Sequence, residues 1–441
     1  MCKPTALSTL VAIVITAAAC DPPAVPGANG TGYTVHDSAG VEIVVNHTPE
    51  HLAGQFWTVD PEPEIVLGGD ENPGGVASDS AQLIWDVVGI ARLTDGRVAV
   101  LSGEGQQLLL FEASGKLSGT IGRPGEGPGE FIRPERLQYL APDTLVVWDY
   151  HMTSVNYFDT GGSLLRERTI DLAVLTERVP GATGESMRMT LPDGSFIVGG
   201  AGPAGAREYR EPDPGSTYRY MPEEYVRVDD EYGTQSFGTW EGMEMWVPKM
   251  DIDPDFAVPF VPTFALDSHV AAGGDPLSVY ISEGDRNEIL QFSLDGTLVR
   301  VIRRTTDPLA VSDRSHGAWM DDMYAFGEMI GDPLPPGIFD GMPRKESYPP
   351  VGGLVVDAEG YLWVGEWSES ETGWPDRWSV FSPWGRWLGV LAVPPEPALS
   401  DLFMCYKFFV PCWVDRDMFL TIRRDEYGVE RVEGYRIRRG E

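Results

Sequence analysis

One unit recurs along this chain and limits what it can become: a short apolar strand, a glycine turn, a second strand, a second glycine turn. Its clearest copy fills residues 83–122. There Val87-Val-Gly-Ile-Ala-Arg-Leu93 leads into the turn Thr94-Asp95-Gly96-Arg97, then Val98-Ala-Val-Leu101, Leu108-Leu-Leu-Phe111, the turn Glu112-Ala-Ser-Gly115-Lys116, and Leu117-Ser-Gly-Thr-Ile121. Four short strands joined by tight turns make a small sheet that cannot cover both of its faces alone. Copies must therefore stack, around a ring or along a solenoid.

Further copies read at 132–172, 186–240, 260–303, 350–393 and 402–441, with a polar insertion near residues 208–220 stretching the third. The last copy ends one strand short. Two segments lie ahead of the first copy, a hairpin at 33–46 and the strand Ile65-Val66-Leu67, and either can donate the missing strand. Pairing the two ends of the chain closes a ring and removes open sheet edges. The stretch 304–349 breaks the pattern. Trp319, Met320, Met323 and Phe326 recur at helical spacing behind Ser312, a fair N-cap, and a proline-rich crossing follows. A short helix is expected there, inserted between the fourth and fifth copies on one rim.

The run Ile121-Gly-Arg-Pro-Gly-Glu-Gly-Pro-Gly-Glu-Phe131 resembles the blade-linking loop of bacterial six-bladed β-propeller proteins related to NHL repeats. Pro350-Val-Gly-Gly-Leu-Val-Val-Asp-Ala-Glu-Gly-Tyr-Leu-Trp-Val364 resembles a later blade of the same group, as do Asp37-Ser-Ala-Gly-Val41 and Arg424-Asp-Glu-Tyr-Gly-Val-Glu-Arg-Val432. The resemblance spans residues 33–441. It implies an all-β, six-bladed propeller closed by an N-terminal strand. It also implies a secreted, often lipid-anchored protein, from a group mostly without an assigned activity.

Composition narrows the partners. The net charge of −34 would repel nucleic acid and anionic lipid head groups, so neither is expected as a ligand. Residues 1–19 read as a signal peptide, with Lys3 as the positive region and an apolar stretch too short to span a membrane. Ala17-Ala-Ala19 before Cys20 resembles a bacterial lipobox, with Ala17 where Leu is usual. Lipidation of Cys20 would anchor the protein to the cell envelope, with 20–32 as a flexible tether and 33–441 as the propeller; ordinary secretory cleavage after Ala19 is the alternative. Cys405 and Cys412 remain, as a disulfide in an oxidising compartment or as two buried thiols.

Motifs of chemistry are sparse. The Gly125-Glu-Gly127-Pro-Gly129 run lacks the helix that a phosphate-cradling loop must open. Asp86, Asp149, Asn156, Glu283, Asp285, Asn287 and Glu366 lie near strand ends where a hard cation such as Ca²⁺ could collect oxygen ligands in a central channel. The six histidines (36, 47, 51, 151, 269, 316) are dispersed, and His151 or His269 could face the channel. Asp251-Ile-Asp253-Pro-Asp255 lacks the glycine and terminal glutamate of a Ca²⁺ loop. Trp367 and Trp374 sit in a loop that reaches a rim, where exposed rings could stack on sugars or grip a peptide. No catalytic set of a known type stands out. The expected function is a monomeric envelope lipoprotein that binds or scaffolds a protein or glycan, without a cofactor. The alternative is a metal-dependent, lactonase-like hydrolase or lyase with Ca²⁺ in the channel.

Overall fold

The computed structural model describes residues 32–51, 56–68, 84, 86–151, 153–200, 215–219, 223–248, 260–329, 333–367, 377–393, 413–424 and 430–439. Its sheets form a six-bladed β-propeller. Four N-terminal strands precede the blades: β1 (Tyr33–Ser38), β2 (Val41–Asn46), β3 (Thr58–Val59) and β4 (Ile65–Gly68). Blade one contains β5 (Val87–Arg92), β6 (Val98–Ser102), β7 (Gln107–Phe111) and β8 (Leu117–Ile121). Blade two contains β9 (Pro134–Leu140), β10 (Thr144–Asp149), β11 (Ser154–Asp159) and β12 (Leu164–Thr169).

In the third blade β13 (Met187–Thr190) and β14 (Phe196–Gly200) are followed, beyond a small outside strand β15 (Thr217–Arg219), by β16 (Glu223–Val228) and β17 (Thr234–Trp240); β18 (Glu244–Trp246) pairs with β15. Blade four has β19 (His269–Gly273), β20 (Ser278–Ser282), β21 (Glu288–Ser293) and β22 (Leu298–Arg304). Blade five has β23 (Gly353–Val356), β24 (Leu362–Glu366), β25 (Arg377–Phe381) and β26 (Trp387–Ala392). Blade six has β27 (Trp413–Val414), β28 (Met418–Arg424) and β29 (Glu430–Arg438).

Why the strands read as unbroken apolar runs is now plain. Each middle strand is buried on both faces, because successive side chains serve opposite seams. Val98 and Val100 of β6 pack toward blade six with Leu420 and Ile422, while Ala99 and Leu101 pack toward blade two with Leu145 and Val147. One apolar cluster fills each seam around the ring. The turns share a device too. Asp95 accepts the Arg97 amide at 3.0 Å, Asp193 that of Ser195 at 3.0 Å, Asp295 that of Thr297 at 3.0 Å and Asp357 that of Tyr361 at 2.9 Å. Part of the acidic surplus is therefore turn chemistry.

Closure by an N-terminal strand is as expected. The missing strand of blade six is β4, antiparallel to β29 with Leu67 opposite Val432. The hairpin β1–β2 goes elsewhere: β2 lies parallel to β22 and widens blade four into a six-stranded sheet. Asn46 explains the choice. Fully buried, it donates to the carbonyls of Arg303 (3.2 Å) and Gly385 (3.0 Å) and accepts the Trp387 amide at 2.9 Å, tying the hairpin to blades four and five together. The chain then crosses the outside of blade five, where Glu50 and His51 donate to the carbonyls of Trp387 and Leu388 at 2.9 Å. The Phe56 ring covers Gly389, where a Cβ would lie 2.2 Å from it. Two bidentate pairs then stitch this belt to β29: Arg436 with Glu64 (2.5 Å) and Arg438 with Asp60 (2.5 and 2.7 Å).

The rim helix is present as α2 (Asp313–Met329), and the Ser312 hydroxyl accepts the Ser315 amide at 3.0 Å. Trp319 packs with Trp246, Ile338 and Phe339, so the β15–β18 ribbon and the helix form one cap. An earlier helix, α1 (Leu172–Arg178), was not anticipated; Asp171 caps it by accepting the amides of Ala173 (2.9 Å) and Val174 (3.2 Å). Among the described residues no helix is long and apolar enough to cross a membrane.

Candidate channel-mouth site

The strands β5, β9, β13, β19, β23 and β27 line the channel, and all of them start at one end. The loops between second and third strands open at that end, and so does the connection carrying α2. This end is the mouth. The ring is tight on two sides. A Cβ at Gly89 would lie 2.6 Å from Leu137 Cβ and 2.9 Å from its amide nitrogen, so β5 and β9 approach as closely as only glycine allows. Gly273 does the same between blades four and five, where a Cβ would sit 2.7 Å from Val356.

At the mouth the first three inner strands share an irregularity. The register of β5 slips between Val87 and Gly89, that of β13 between Met187 and Met189, and that of β9 between Pro134 and Arg136. Each slip leaves one extra residue: Val88, Glu135 and Arg188. The inner strands of blades four and five pair without a slip. Bulges of this kind re-aim side chains and recur beside functional sites.

A mixed-charge cluster gathers around them. Arg188 pairs with Glu223 at the start of β16. Burial works against the Arg188 guanidinium, but the charge of Glu223, with Tyr225 and Asp267 behind it, outweighs burial and raises its pKa. Buried Tyr225 holds Ser268 through its carbonyl (3.1 Å) and hydroxyl (3.0 Å), and burial followed by the Glu223 charge pushes the phenol well above its ordinary value. Burial depresses Arg136; Tyr150 opposes that shift and the like charge on Arg188 adds to it. Glu135 is buried and paired with Arg133, and buried His269 opens β19 beside Ser268. The cluster offers donors and acceptors of both signs, held in place by one another.

Most residues singled out from sequence lie around this end without meeting at a point. Asp86 precedes β5 at φ +48°, and its carboxylate packs where a Gly103 side chain would be. Asp149 accepts the amides of Ile132 (2.6 Å) and Arg133 (3.0 Å), clipping the linker into blade two. Asn156 donates to Ser154 at 3.3 Å. Glu283 and Asp285 flank Arg286, each at 3.8 Å. Asn287 accepts from Arg304 at 2.7 Å, and Glu366 pairs with the same arginine. Among the described residues no three His, Cys, Asp or Glu side chains form a group that could hold a metal ion. Trp367 is only 7% exposed, stacked on Tyr348 (5.9 Å between centroids) and edge-on to Phe264, so its ring anchors the cap instead of facing solvent. Cys20, Trp374, Cys405, Cys412 and residues 251–255 lie outside the described residues. His151 is exposed on a loop.

Sequence reasoning passed over Glu135, Arg136 and Arg188. The available signal was a charge inside an apolar inner strand, as in Met187-Arg188-Met189.

A sequence profile described as a 6-bladed β-propeller matches residues 82–185, which span blades one and two and α1. No curated protein matches the chain. Among solved structures, an exported-protein candidate from Bacteroides fragilis aligns at 13% identity and TM-score 0.43, over 90% of this chain and 99% of its own. A calcium-binding regucalcin from Agrobacterium tumefaciens aligns at 12% and 0.35, over 88% and 98%. A gluconolactonase from Xanthomonas campestris aligns at 12% and 0.37, over 89% and 100%. None of these likenesses bears on the activity of this chain.

Proposed function

We propose that this protein is an exported propeller that binds an envelope protein or glycan at the capped channel mouth, as a monomer held to the membrane by a lipid on Cys20. The observation that carries the reading is the bulged arc of blades one to three. Three successive inner strands depart from ideal pairing at the same height, and two of the side chains so released, Glu135 and Arg188, join a partly buried cluster of both charge signs. Such a cluster suits a ligand that presents donors and acceptors together, as peptides and sugars do. The cap on the neighbouring arc would give that ligand a wall.

Binding of the purified chain to solubilised envelope fractions and to a glycan array tests the reading. Wild type should retain a ligand that Arg188→Ala loses, while both melt at nearly the same temperature. Equal retention by the variant overturns the mouth as the site. One tightly held Ca²⁺ per chain, with melting lowered by EDTA and turnover of a lactone, would replace the binding reading with the hydrolase.

A further inference from the structure

At the opposite end of the propeller, where the hairpin turns lie, a cleft of about 440 Å³ opens between blades one and two. Leu110 and Ile121, both buried, form its floor. Its rim carries Asp95, Arg97, Glu112 and Ser118, with Thr120 beside them on the same strand. The size falls within the range of small-molecule sites, but the lining is far more polar than most. Two glycines keep it open. Gly119 and Gly161 contribute bare backbone, and at Gly119 even an added Cβ would meet nothing nearer than 4.0 Å.

The polar groups are held in place. Arg97 grips one carboxylate oxygen of Asp95 through Nε (2.8 Å) and a second nitrogen (2.7 Å), while its backbone amide holds the other oxygen at 3.0 Å, which fixes the carboxylate beside the guanidinium. Ser118 donates to the Leu110 carbonyl at 3.1 Å, which leaves its lone pairs facing outward. Glu112 adds a second carboxylate. A ligand hydroxyl can donate to a carboxylate and accept from a guanidinium at once, so a fixed pair of the two reads neighbouring hydroxyls. The aliphatic floor below matches a ring that shows C–H groups on one face. From this combination we infer that the cleft is a saccharide site, separate from the channel mouth.

Saturation-transfer NMR on the whole chain tests this, with D-glucose, D-mannose and N,N′-diacetylchitobiose as probes and putrescine as a cationic competitor. At least one sugar should take up saturation at its ring C–H protons. Gly119→Phe fills the cleft without a backbone penalty, and should abolish the signal while melting stays unchanged. Should that variant fold poorly, Arg97→Met removes the guanidinium beside Asp95 and should weaken binding several-fold. Arg188→Ala, at the far mouth, should leave the signal intact, which separates this site from the proposed one. The inference is overturned if no sugar in the panel responds, if the signal survives both cleft variants, or if putrescine alone binds.

Discussion

The ring divides into two arcs that solve the same problem differently. Blades four to six carry the bracing: the belt of β1–β4 covers their outer edges, the cap leans on their rim, and the inner strands of blades four and five pair in register. Arg304 shows the style. Its side chain is 6% exposed, pairs with Glu366, donates to Asn287 (2.7 Å), Ser379 (3.0 Å) and the Pro350 carbonyl (3.1 Å), and lies over Phe381 and Trp387. Blades one to three have no belt on their outer strands among the described residues, and their inner strands are bulged. Arg188, the corresponding cation there, is half-buried and meets charges of both signs. Rigidity concentrated on one arc lets the other carry irregular pairing, which is where the candidate site sits.

Four changes would break or sharpen this division. Arg304→Met should be the costliest, at about 3–5 kcal/mol in urea unfolding, because it empties a buried guanidinium site and leaves Glu366 only the longer contact to Arg377 at 3.8 Å. Arg188→Met should cost no more than about 1 kcal/mol; equal losses would erase the distinction between arcs. Next come Gly89→Ala and Gly273→Ala, which push a methyl into Leu137 and Val356 respectively and should each cost about 1–3 kcal/mol. Both arcs depend on close inner strands, so a neutral result at either would show that side of the channel to be looser than described.

The belt offers a pH test. Hydrogen bonds from Arg436 and Arg438 hold the carboxyls of Glu64 and Asp60 below their ordinary values of 4.5 and 3.8. Their contribution is therefore present above those values and lost as pH falls through the lowered ones. Melting of wild type should exceed that of the Glu64→Gln, Asp60→Asn double variant at neutral pH, and the two curves should merge in acid and approach each other in high salt. A gap that persists at low pH would mean the stitches hold by packing instead. Smallest of all, Leu165→Ser on the open edge of blade two should move stability by less than about 0.5 kcal/mol, since that side chain is 56% exposed.

Much of the architecture was legible because it rests on local rules. Asp-Gly turns and apolar runs marked the blades, and the missing strand of the last copy pointed to the N-terminus. The destination of the hairpin was not legible. Any blade edge accepts a strand, and what selects blade four is a buried Asn46 whose partners lie 257 and 339 residues away. Bulges escaped for a different reason: one extra residue leaves no periodic trace. α1 escaped although Asp171 and the spacing of Leu172 and Leu175 marked it, because it is only seven residues long and falls in the gap between the second and third copies. Trp367 looked like a rim residue since its covering partners, Phe264 and Tyr348, come from distant segments.

The belt also sets an order of events. β2 and β4 pair with β22 and β29, whose residues are made hundreds of positions later. Until residues 431–434 have been made β4 has no partner strand, β3 waits for Ile437 and Arg438, and blade six stays incomplete. Synthesis therefore hands over an open chain of small sheets, and the ring snaps shut only at the end. Contacts of such sequence separation fold slowly, so the interval before closure is when this protein most needs a chaperone.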